Sequence, residues 1–311
     1  MPALSFIKNK DAKPIAVVKG GDQDSEILYL HHTGKTAPIK REIKAVKYVD
    51  QLEHIKPSER VKVLQEIITS VEEGEEYIAR DSKSKALFNR IKEDCEKDKT
   101  IELPDDSTFQ QIPNPDPKVR EVWYVAGQSG SGKSYFARGI AENYKKLFPE
   151  REVYLISKLD EDETLDKMKI GKPKRISLKS LVDDPPELKE FEDCLVIFDD
   201  FDTLSAPYDK IVLKLIEDLC IMGRHTRTSL LILSHYLTNY KKTRLILGEA
   251  NYLVLYPMAT AFKALKYVCE MYGGLESKQI LGLKKLGRYI VISKNYPSYV
   301  LSAHEAYLPH C

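Results

Sequence analysis

The chain has 311 residues, with 48 Lys and Arg against 47 Asp and Glu, which gives a formal net charge of +1. Hydrophobic residues make up 42% and charged residues 31%, a composition typical of a globular protein with a charged surface. This balance excludes a protein that coats nucleic acid through overall positive charge, but it permits a local basic patch. A transmembrane helix needs about 20 mostly apolar residues, and unbroken apolar runs such as 122–126 and 194–198 are far shorter. We therefore expect no membrane insertion.

The five cysteines are widely spaced and form no CxxC motif. This pattern favours reduced thiols over a disulfide framework or a zinc site. The N-terminal segment reaches Lys8 and Lys10 before any apolar region develops, so it does not resemble a secretory signal. Together these features predict a cytoplasmic protein.

The first third of the chain predicts a small, charged α+β region. Segments 15–18 and 27–30 are apolar and flank a turn-rich stretch, which predicts a strand pair. From Arg41 to Lys99 the pattern is helical and highly charged. One apolar stripe recurs there at helical spacing, formed by Val61, Leu64, Ile67, Ile68 and Val71.

A segment dense in proline and aspartate follows at 103–117. Because proline fixes φ and removes a backbone donor, we expect a connector here rather than a helix or strand. The domain boundary is placed in this segment, giving a region at 1–115 and a second domain at 116–311.

After this segment, apolar strands alternate with amphipathic helices. Strands are predicted at 122–126, 153–156, 175–178, 194–198, 230–233, 252–256 and 289–292. One helix is expected to bury Phe136, Ile140, Tyr144 and Leu147, and a second at 208–222 to bury Ile211, Leu215, Leu219 and Met222. The alternation predicts an α/β fold with a mostly parallel sheet and helices on both faces. The tail at 294–300 is expected to add a strand or hairpin to that sheet.

Residues 127–134 read Gly-Gln-Ser-Gly-Ser-Gly-Lys-Ser and match the phosphate-loop pattern G-x-x-x-x-G-K-[ST] at every position. An apolar strand precedes the loop and an amphipathic helix follows it, as the motif requires. Lys133 is expected to reach the β- and γ-phosphates of ATP, and the Ser134 hydroxyl to hold Mg²⁺. The remaining nucleotide contacts are expected from Gly127, Gln128, Ser129, Gly130, Ser131, Gly132 and Tyr135.

Two carboxylates end the apolar strand at 194–198. Carboxylates at the carboxyl end of a parallel strand suit a hard cation such as Mg²⁺. We expect Asp199 to hold Mg²⁺ and Asp200 to orient the attacking water. Asp202 either extends this cluster or caps the following helix.

A later strand, 230–233, ends in Ser234 and His235, which are expected near the same sheet edge as Asp199. One of the two is then placed to contact the γ-phosphate or the lytic water. A surface histidine that merely follows a strand is the alternative for His235. Before this strand, Arg224 and Arg227 are each candidates for an arginine finger supplied to a neighbouring subunit. Surface ion pairs are the alternative for both arginines.

The order of these motifs resembles the FtsK/HerA superfamily, and within it the DNA-packaging ATPases of large DNA viruses of the poxvirus type. The resemblance covers about 121–256 and includes the Arg224–His225 pair and the polar end of the 230–233 strand. It implies an additional-strand P-loop fold, a ring-shaped oligomer, usually a hexamer, and ATP-driven movement of double-stranded DNA. Two positions depart from the family pattern: the usual sensor glutamine is His235, and the second acid, often glutamate, is Asp200.

The resemblance therefore predicts an ATP-hydrolysing motor that packages a viral genome. Implied partners are double-stranded DNA, further copies of the chain, and capsid or other viral assembly proteins. It would act in the host cytoplasm, at a viral assembly site or in association with the virion. Basic residues at Lys241, Lys242 and Arg244, and at Lys284, Lys285 and Arg288, offer contacts to the DNA backbone.

Two other functions stay open on sequence grounds. A P-loop kinase of a small acceptor would keep the same loop, and an ATP-dependent assembly switch would bind ATP with little turnover. DNA-stimulated ATP hydrolysis distinguishes the motor from both.

Overall fold

The computed structural model describes residues 2–10, 12–32, 48–73, 76–97 and 99–309, with the side chains at 72–73 and 94–97 left out. Residues 41–47 of the predicted charged helical region lie outside the described residues. So does Cys311. Among the described cysteine side chains, Cys194, Cys220 and Cys269 are free and buried, in agreement with reduced thiols.

The described strands form two sheets. The smaller has the order β1-β3-β2-β5 and is built from β1 (Ala3–Ser5), β2 (Ala12–Gly20), β3 (Ile27–His31) and β5 (Ser107–Gln111). The predicted strand pair is thus β2 and β3, which are antiparallel. Strand β5 lies inside the proline-rich segment that we expected to be a connector, so that expectation is wrong. The five residues of β5 alternate buried and part-exposed side chains, which suits an antiparallel strand.

The larger sheet has ten strands in the order β4-β14-β13-β12-β11-β6-β10-β9-β7-β8. They are β4 (Thr100–Glu102), β6 (Val122–Ala126), β7 (Val153–Ser157), β8 (Lys174–Arg175), β9 (Leu195–Asp199), β10 (Ser229–Ser234), β11 (Tyr252–Leu255), β12 (Ile290–Ser293), β13 (Tyr299–Ser302) and β14 (Glu305–Tyr307). From β8 to β11 the neighbours are parallel. From β11 to β4 they are antiparallel. The predicted tail hairpin is β12 and β13.

Eight α-helices lie within the described residues: α1 (Pro57–Glu73), α2 (Ser82–Lys97), α3 (Lys133–Leu147), α4 (Leu178–Asp183), α5 (Tyr208–Met222), α6 (Tyr240–Glu249), α7 (Phe262–Met271) and α8 (Ser277–Gly282). The expected strand at 175–178 is limited to the two residues of β8, because Ser177 accepts the Ser180 N–H and starts α4. No helix in these ranges combines the length and apolar character needed to cross a bilayer.

The ten-stranded sheet has a hydrophobic core on each face. One core packs α5 through α8 against the sheet. The other contains α3 and the four-stranded sheet, with Ile15, Val18 and Phe109 beside Trp123 and Val125 of β6. Every residue of β6, β9, β10 and β11 is buried, as expected for central strands covered on both sides. The predicted α/β fold with a mostly parallel core sheet is confirmed.

Three helix positions differ from the predicted stripes. Val61 of α1 is 56% exposed, and Val63 instead packs with Leu64 and Ile67. Leu147 and Met222, the last residues of α3 and α5, are also exposed. Terminal helical residues have no following turn to cover them, and periodicity alone does not fix which edge of a stripe faces the core.

The division at residue 115 stays a prediction. Contacts cross it at several places: β4 pairs with β14, β2 and β5 lie in the core that contains α3, and Lys13 lies beside Glu121.

Candidate nucleotide site

The phosphate loop joins the buried strand β6 to α3. Gly130 has φ of 74° and Gly132 has φ of 110°, backbone angles that residues other than glycine rarely adopt. The amide of Gly127 bonds to the Ser234 carbonyl at 3.0 Å, which ties the start of the loop to β10. Gln128, Ser129 and Gly130 are exposed, while Ser131 is buried. The loop is therefore folded into a turn that leads directly into the N-terminus of α3, where phosphate groups bind most favourably.

Lys133 is the first residue of α3, and its side chain is only 7% exposed. Its Nζ donates to the Gly127 carbonyl at 3.0 Å and lies 3.8 Å from Asp200 Oδ1. The ammonium group thus spans the loop and faces the acidic end of β9. Contact of Lys133 with the phosphates of ATP stays a prediction.

Asp199 ends β9 and is 4% exposed. The Ser157 hydroxyl at the end of β7 donates to its Oδ2 at 3.0 Å. Burial, reinforced by the neighbouring Asp200 carboxylate, raises the pKa of Asp199 to about 6. A carboxylate that is costly to ionise in isolation is well suited to accept a positive partner.

Asp200 lies between the two basic groups of the site. Its Oδ1 is 2.9 Å from His235 Nε2 and 3.8 Å from Lys133 Nζ. The backbone of Asp200 is left-handed, with φ of 50°, a conformation that aspartate tolerates better than most residues. His235 follows β10, the strand next to β9, so the expected meeting of these strand ends is observed.

Ser234 and Asp202 have structural roles that the sequence did not reveal. Ser234 is fully buried, and its hydroxyl donates to Asp202 Oδ2 at 2.7 Å. The same carboxylate oxygen accepts the backbone N–H groups of His235 and Tyr236 at 2.9 and 3.2 Å. Asp202 therefore fixes the turn after β10 and does not cap a helix. Of the two sensor candidates, His235 is the one whose side chain faces Asp200.

The two candidate finger arginines lie at the opposite edge of the sheet, before β10 begins. Arg224 is exposed and forms no ion pair with any residue that the structure describes. Arg227 pairs with Asp193 and lies 3.1 Å from Glu192. Neither arginine belongs to the site of its own chain. Their assignment to a neighbouring subunit's site stays a prediction, and the local ion pairs of Arg227 favour the surface alternative for that residue.

Arg288, which was considered only as a DNA contact, touches the phosphate loop. Its Nε donates to the Ser131 carbonyl at 2.8 Å, and its Nη2 donates to the Gly130 carbonyl at 2.9 Å. These bonds join the segment before β12 to the loop across 157 residues of sequence. No local sequence signal indicates this contact with the loop, and the role of Arg288 as a DNA contact stays a prediction.

The residues expected to hold Mg²⁺ suit that ion. Within the described ranges, no group of three or more His, Cys, Asp and Glu residues forms a metal cage. Mg²⁺ commonly needs no such cage, because one or two protein oxygens, substrate phosphates and water complete its coordination. The buried Asp199 carboxylate and the Ser134 hydroxyl are oxygen donors of this kind.

Comparison with known proteins places the chain in a viral family, although no family model matches it. A curated protein of Sputnik virophage, "Uncharacterized protein V3", is 33% identical over 214 residues, which are 68% of this chain and 85% of that protein. The chain belongs to the same family as the virophage V3 protein.

Solved structures also match this V3-family chain. The genome packaging NTPase B204 of Sulfolobus turreted icosahedral virus 2, solved with ATP-gammaS, is 12% identical with a TM-score of 0.41, covering 60% of this chain and 98% of B204. The pCW3 conjugation coupling protein TcpA is 16% identical with a TM-score of 0.39, and the match covers 61% of this chain and 62% of TcpA. The type VII secretion ATPase EccC of Thermomonospora curvata is 16% identical with a TM-score of 0.43, and the match covers 65% of this chain and 28% of the EccC chain.

These neighbours include a viral genome packaging NTPase, the class of protein that the motifs resemble, and the FtsK/HerA-type assignment of this chain stays a resemblance. Because the TM-scores are low, the fold assignment is based on the strand order of this chain. Strand β10 lies between the phosphate-loop strand β6 and the acidic strand β9. This inserted strand is the additional strand that the resemblance implies.

Proposed function

We propose that this V3-family protein is an ATP-hydrolysing motor that moves double-stranded DNA during packaging of a viral genome. The observation that carries the proposal is the meeting of three strand ends. Lys133 after β6, Asp200 after β9 and His235 after β10 lie in one contiguous row of polar groups, with distances of 3.8 and 2.9 Å. Such a set at the carboxyl edge of a parallel sheet suits phosphoryl transfer.

The roles of the residues follow from their positions. The backbone N–H groups of 127–134 and the N-terminus of α3 bind the phosphates, and Lys133 turns its ammonium group to the β- and γ-phosphates. Ser134 and Asp199 hold Mg²⁺, which supplies positive charge against the phosphate oxygens. Asp200 orients and polarises the attacking water, and His235 holds the Asp200 carboxylate in place.

The proposed handling of DNA is independent of base sequence. A motor that moves along DNA must grip the phosphate backbone, and such contacts give strongly salt-dependent binding. Lys241 and Arg244 are exposed on α6, just beyond His235, and Lys284 and Lys285 are exposed before β12. With a net charge of +1 per chain, several subunits in a ring would have to share the grip. The packaging NTPase B204 supports this proposal as a fold neighbour.

ATP hydrolysis measured with and without double-stranded DNA tests the proposal. We expect DNA of any sequence to raise the ATPase rate and the increase to fall steeply with salt. Lys133→Ala and Asp199→Asn should each lower the rate by about 100-fold or more, the usual cost of removing a group that stabilises transition-state charge. Lys146→Ala, at an exposed position of the same helix as Lys133, is the matched control and should keep the wild-type rate.

Three outcomes would argue against the motor. An ATPase rate that DNA leaves unchanged over a range of salt would contradict it. Transfer of the γ-phosphate to a small acceptor would support the kinase instead. Tight ATP binding with little turnover would support the assembly switch.

A further inference from the structure

A cavity of about 420 Å³ adjoins the phosphate loop. Its walls come from the loop, the first two turns of α3, strand β5, and the segments that follow β11, precede β12 and follow β13. The volume lies within the usual range of about 300–1,000 Å³ for small-molecule sites. None of the residues proposed for hydrolysis, Lys133, Asp200 or His235, lines it.

The order of strands in the sheet shows on which side of the phosphate loop the cavity lies. Strand β6 has β10 and β9 on one side and β11 and β12 on the other. Asp199, Asp200 and His235 lie on the first side. Tyr256 and Arg288, which line the cavity, lie on the second. A triphosphate with its γ-phosphate at Asp200 and its chain in the loop must place its nucleoside end on the cavity side. Ser131 and Gly132 belong to both the loop and the cavity lining, so the two are continuous.

The cavity walls suit a flat aromatic ring. Phe136 and Tyr289 pack edge to face with centroids 5.5 Å apart, and Tyr256 and Tyr289 are 6.4 Å apart. Tyr135 is 77% exposed on the cavity lining and is free to cover a ligand. The Arg288 guanidinium lies 3.6 Å from where a Gly132 Cβ would be, so this planar cation lies over the loop. Tyrosine rings and guanidinium planes are the groups on which nucleobases stack.

Polar groups on the lining residues have spare capacity for hydrogen bonds. Gln111 Oε1, Ser131 Oγ and Tyr256 Oη are buried and have no hydrogen-bond partner among the described residues. Buried polar atoms are normally paired, because leaving one unpaired costs free energy. The amino group and ring nitrogens of a purine, together with ribose hydroxyls, are complementary to this set of donors and acceptors.

We propose that this cavity receives the purine base and ribose of the bound nucleotide, so that residues outside the phosphate-loop motif determine base recognition. The proposal builds on the proposed function, since it assumes a triphosphate in the loop. It adds that β5 from the N-terminal region and the β12–β13 hairpin complete the nucleotide site. Both segments lie outside the stretch that carries the sequence resemblance.

Filling the cavity tests this assignment. A Cβ built on Gly139 would lie 2.6 Å from Gln110 Nε2, the mobile end of a side chain that also lines the cavity. Gly139→Leu therefore places a branched side chain in the cavity, and leucine has a higher helix propensity than glycine. The matched control is Gly248→Leu, because Gly248 is a helical glycine of α6 with open space around its Cβ position.

Binding of ATP and of inorganic tripolyphosphate is measured by calorimetry on the full chain. We expect Gly139→Leu to weaken ATP binding by about 10-fold or more, the loss that corresponds to one stacked base, and to leave tripolyphosphate binding unchanged. Tyr135→Ala, at the exposed edge of the cavity, should weaken ATP binding in the same selective way. Gly248→Leu should bind both ligands as the wild-type protein does.

The alternatives give distinct results. If wild-type protein binds tripolyphosphate as tightly as ATP, or if Gly139→Leu keeps full ATP affinity, the base assignment is wrong while the motor proposal stands. If Gly139→Leu weakens binding of ATP and of tripolyphosphate equally although Gly248→Leu binds both normally, the cavity does not bind the base. If ATP binds selectively but is never hydrolysed, the base assignment stands and the motor proposal fails.

Discussion

His235 and Asp200 extend from the ends of two neighbouring strands, and their contact connects β10 to the proposed hydrolytic site. Asp200 is held from one side by His235 and approached from the other by Lys133. The backbone amide of His235 is in turn held by the buried Asp202. A change at the γ-phosphate that moves Asp200 would therefore reach the turn after β10 through its contact with His235.

Replacing His235 should separate catalysis from binding. His235→Ala removes the group that holds Asp200, so we expect kcat to fall by about 10- to 100-fold, within the range for loss of one positioned catalytic group, and ATP affinity to stay nearly unchanged. His235→Gln restores a polar side chain of the type usual in the resembling family and should recover part of the rate. Steady-state ATPase kinetics and ATP calorimetry measure the two effects.

His54→Ala is a suitable control for the histidine variants. His54 also lies near an aspartate, with Nε2 3.1 Å from Asp81 Oδ1, but in the helical region of α1 and α2. It should leave kcat unchanged. Equal loss of kcat and of ATP affinity in His235→Ala would show instead that His235 supports the binding site as a whole.

At the scale of single residues, the sequence predicts the parts of the site that are local. The loop 127–134 and Asp199–Asp200 are recognisable because a motif or a strand end contains all the residues required. Arg288 and Tyr289 are not recognisable, because their contacts with Ser131 and Phe136 join segments more than 150 residues apart. Ser234 shows the same limit: its partner Asp202 is far away in sequence, so its structural role was not predicted.

Among the elements, β6 is held at its start by a buried acidic residue. Glu121 is 3% exposed, accepts the Tyr252 hydroxyl at 2.6 Å and the Asn114 amide at 2.8 Å, and lies 3.6 Å from Lys13 Nζ. It therefore connects the phosphate-loop strand with β11 and β2. Burial raises the pKa of Glu121 above its usual value, although Lys13 and the hydrogen bonds oppose the increase.

The raised pKa predicts a pH-dependent difference in stability. The folded state binds the Glu121 proton more tightly than the unfolded state does, so this group stabilises the fold less as pH rises above the ordinary glutamate pKa of about 4.5. Glu121→Gln lacks this dependence. We expect the free energy of unfolding of the variant, relative to wild type, to increase as pH rises from about 4.5 towards neutrality. Loss of the ion pair with Lys13 adds a constant difference, which does not change this trend.

Urea unfolding at several pH values measures this difference. Glu163→Gln, at an exposed position, controls for the loss of one negative charge. A pH-independent difference, or one that falls with rising pH, would mean that Lys13 and the hydrogen bonds outweigh burial at Glu121.

The sequence predicts the elements well where the pattern is strong and uninterrupted. Helix α5 spans Tyr208–Met222, the range that its apolar spacing indicated. Strand β5 was not predicted because the proline-rich residues on both sides dominate the local pattern. What makes 107–111 a strand is its pairing with β2, a contact that no local pattern records.

At the scale of the whole molecule, the two edges of the sheet have different roles. The carboxyl edge carries the proposed nucleotide site, and the amino edge carries Arg224 and Arg227. A subunit cannot place these arginines in its own site. If one of them acts in catalysis, it must act on a neighbouring copy of the chain.

Mixed oligomers test this arrangement. Arg224 is exposed and has no ion pair within the described ranges, so Arg224→Ala should fold normally. We expect mixtures of this variant with wild type to lose more ATPase activity than dilution predicts, because each variant subunit impairs its neighbour. Arg227→Ala should mainly reduce stability, since it breaks the pairs with Asp193 and Glu192.

Mixing experiments at several subunit ratios, with the oligomeric state checked by light scattering, provide the measurement. Full activity of homogeneous Arg224→Ala would eliminate this residue as a finger. Full activity of a strictly monomeric wild-type protein would eliminate both arginines.

The ends of the ten-stranded sheet also restrict how copies of the chain can join. The terminal strands are β4 with three residues and β8 with two, and β8 consists of Lys174 and Arg175. Such short, charged edges offer few free backbone groups and discourage the pairing of one sheet with another. A ring of these subunits would therefore be held by side chains on helices and loops. Contacts of that kind can slide and re-form as each subunit changes its nucleotide, whereas a sheet continuous between subunits would keep them rigid.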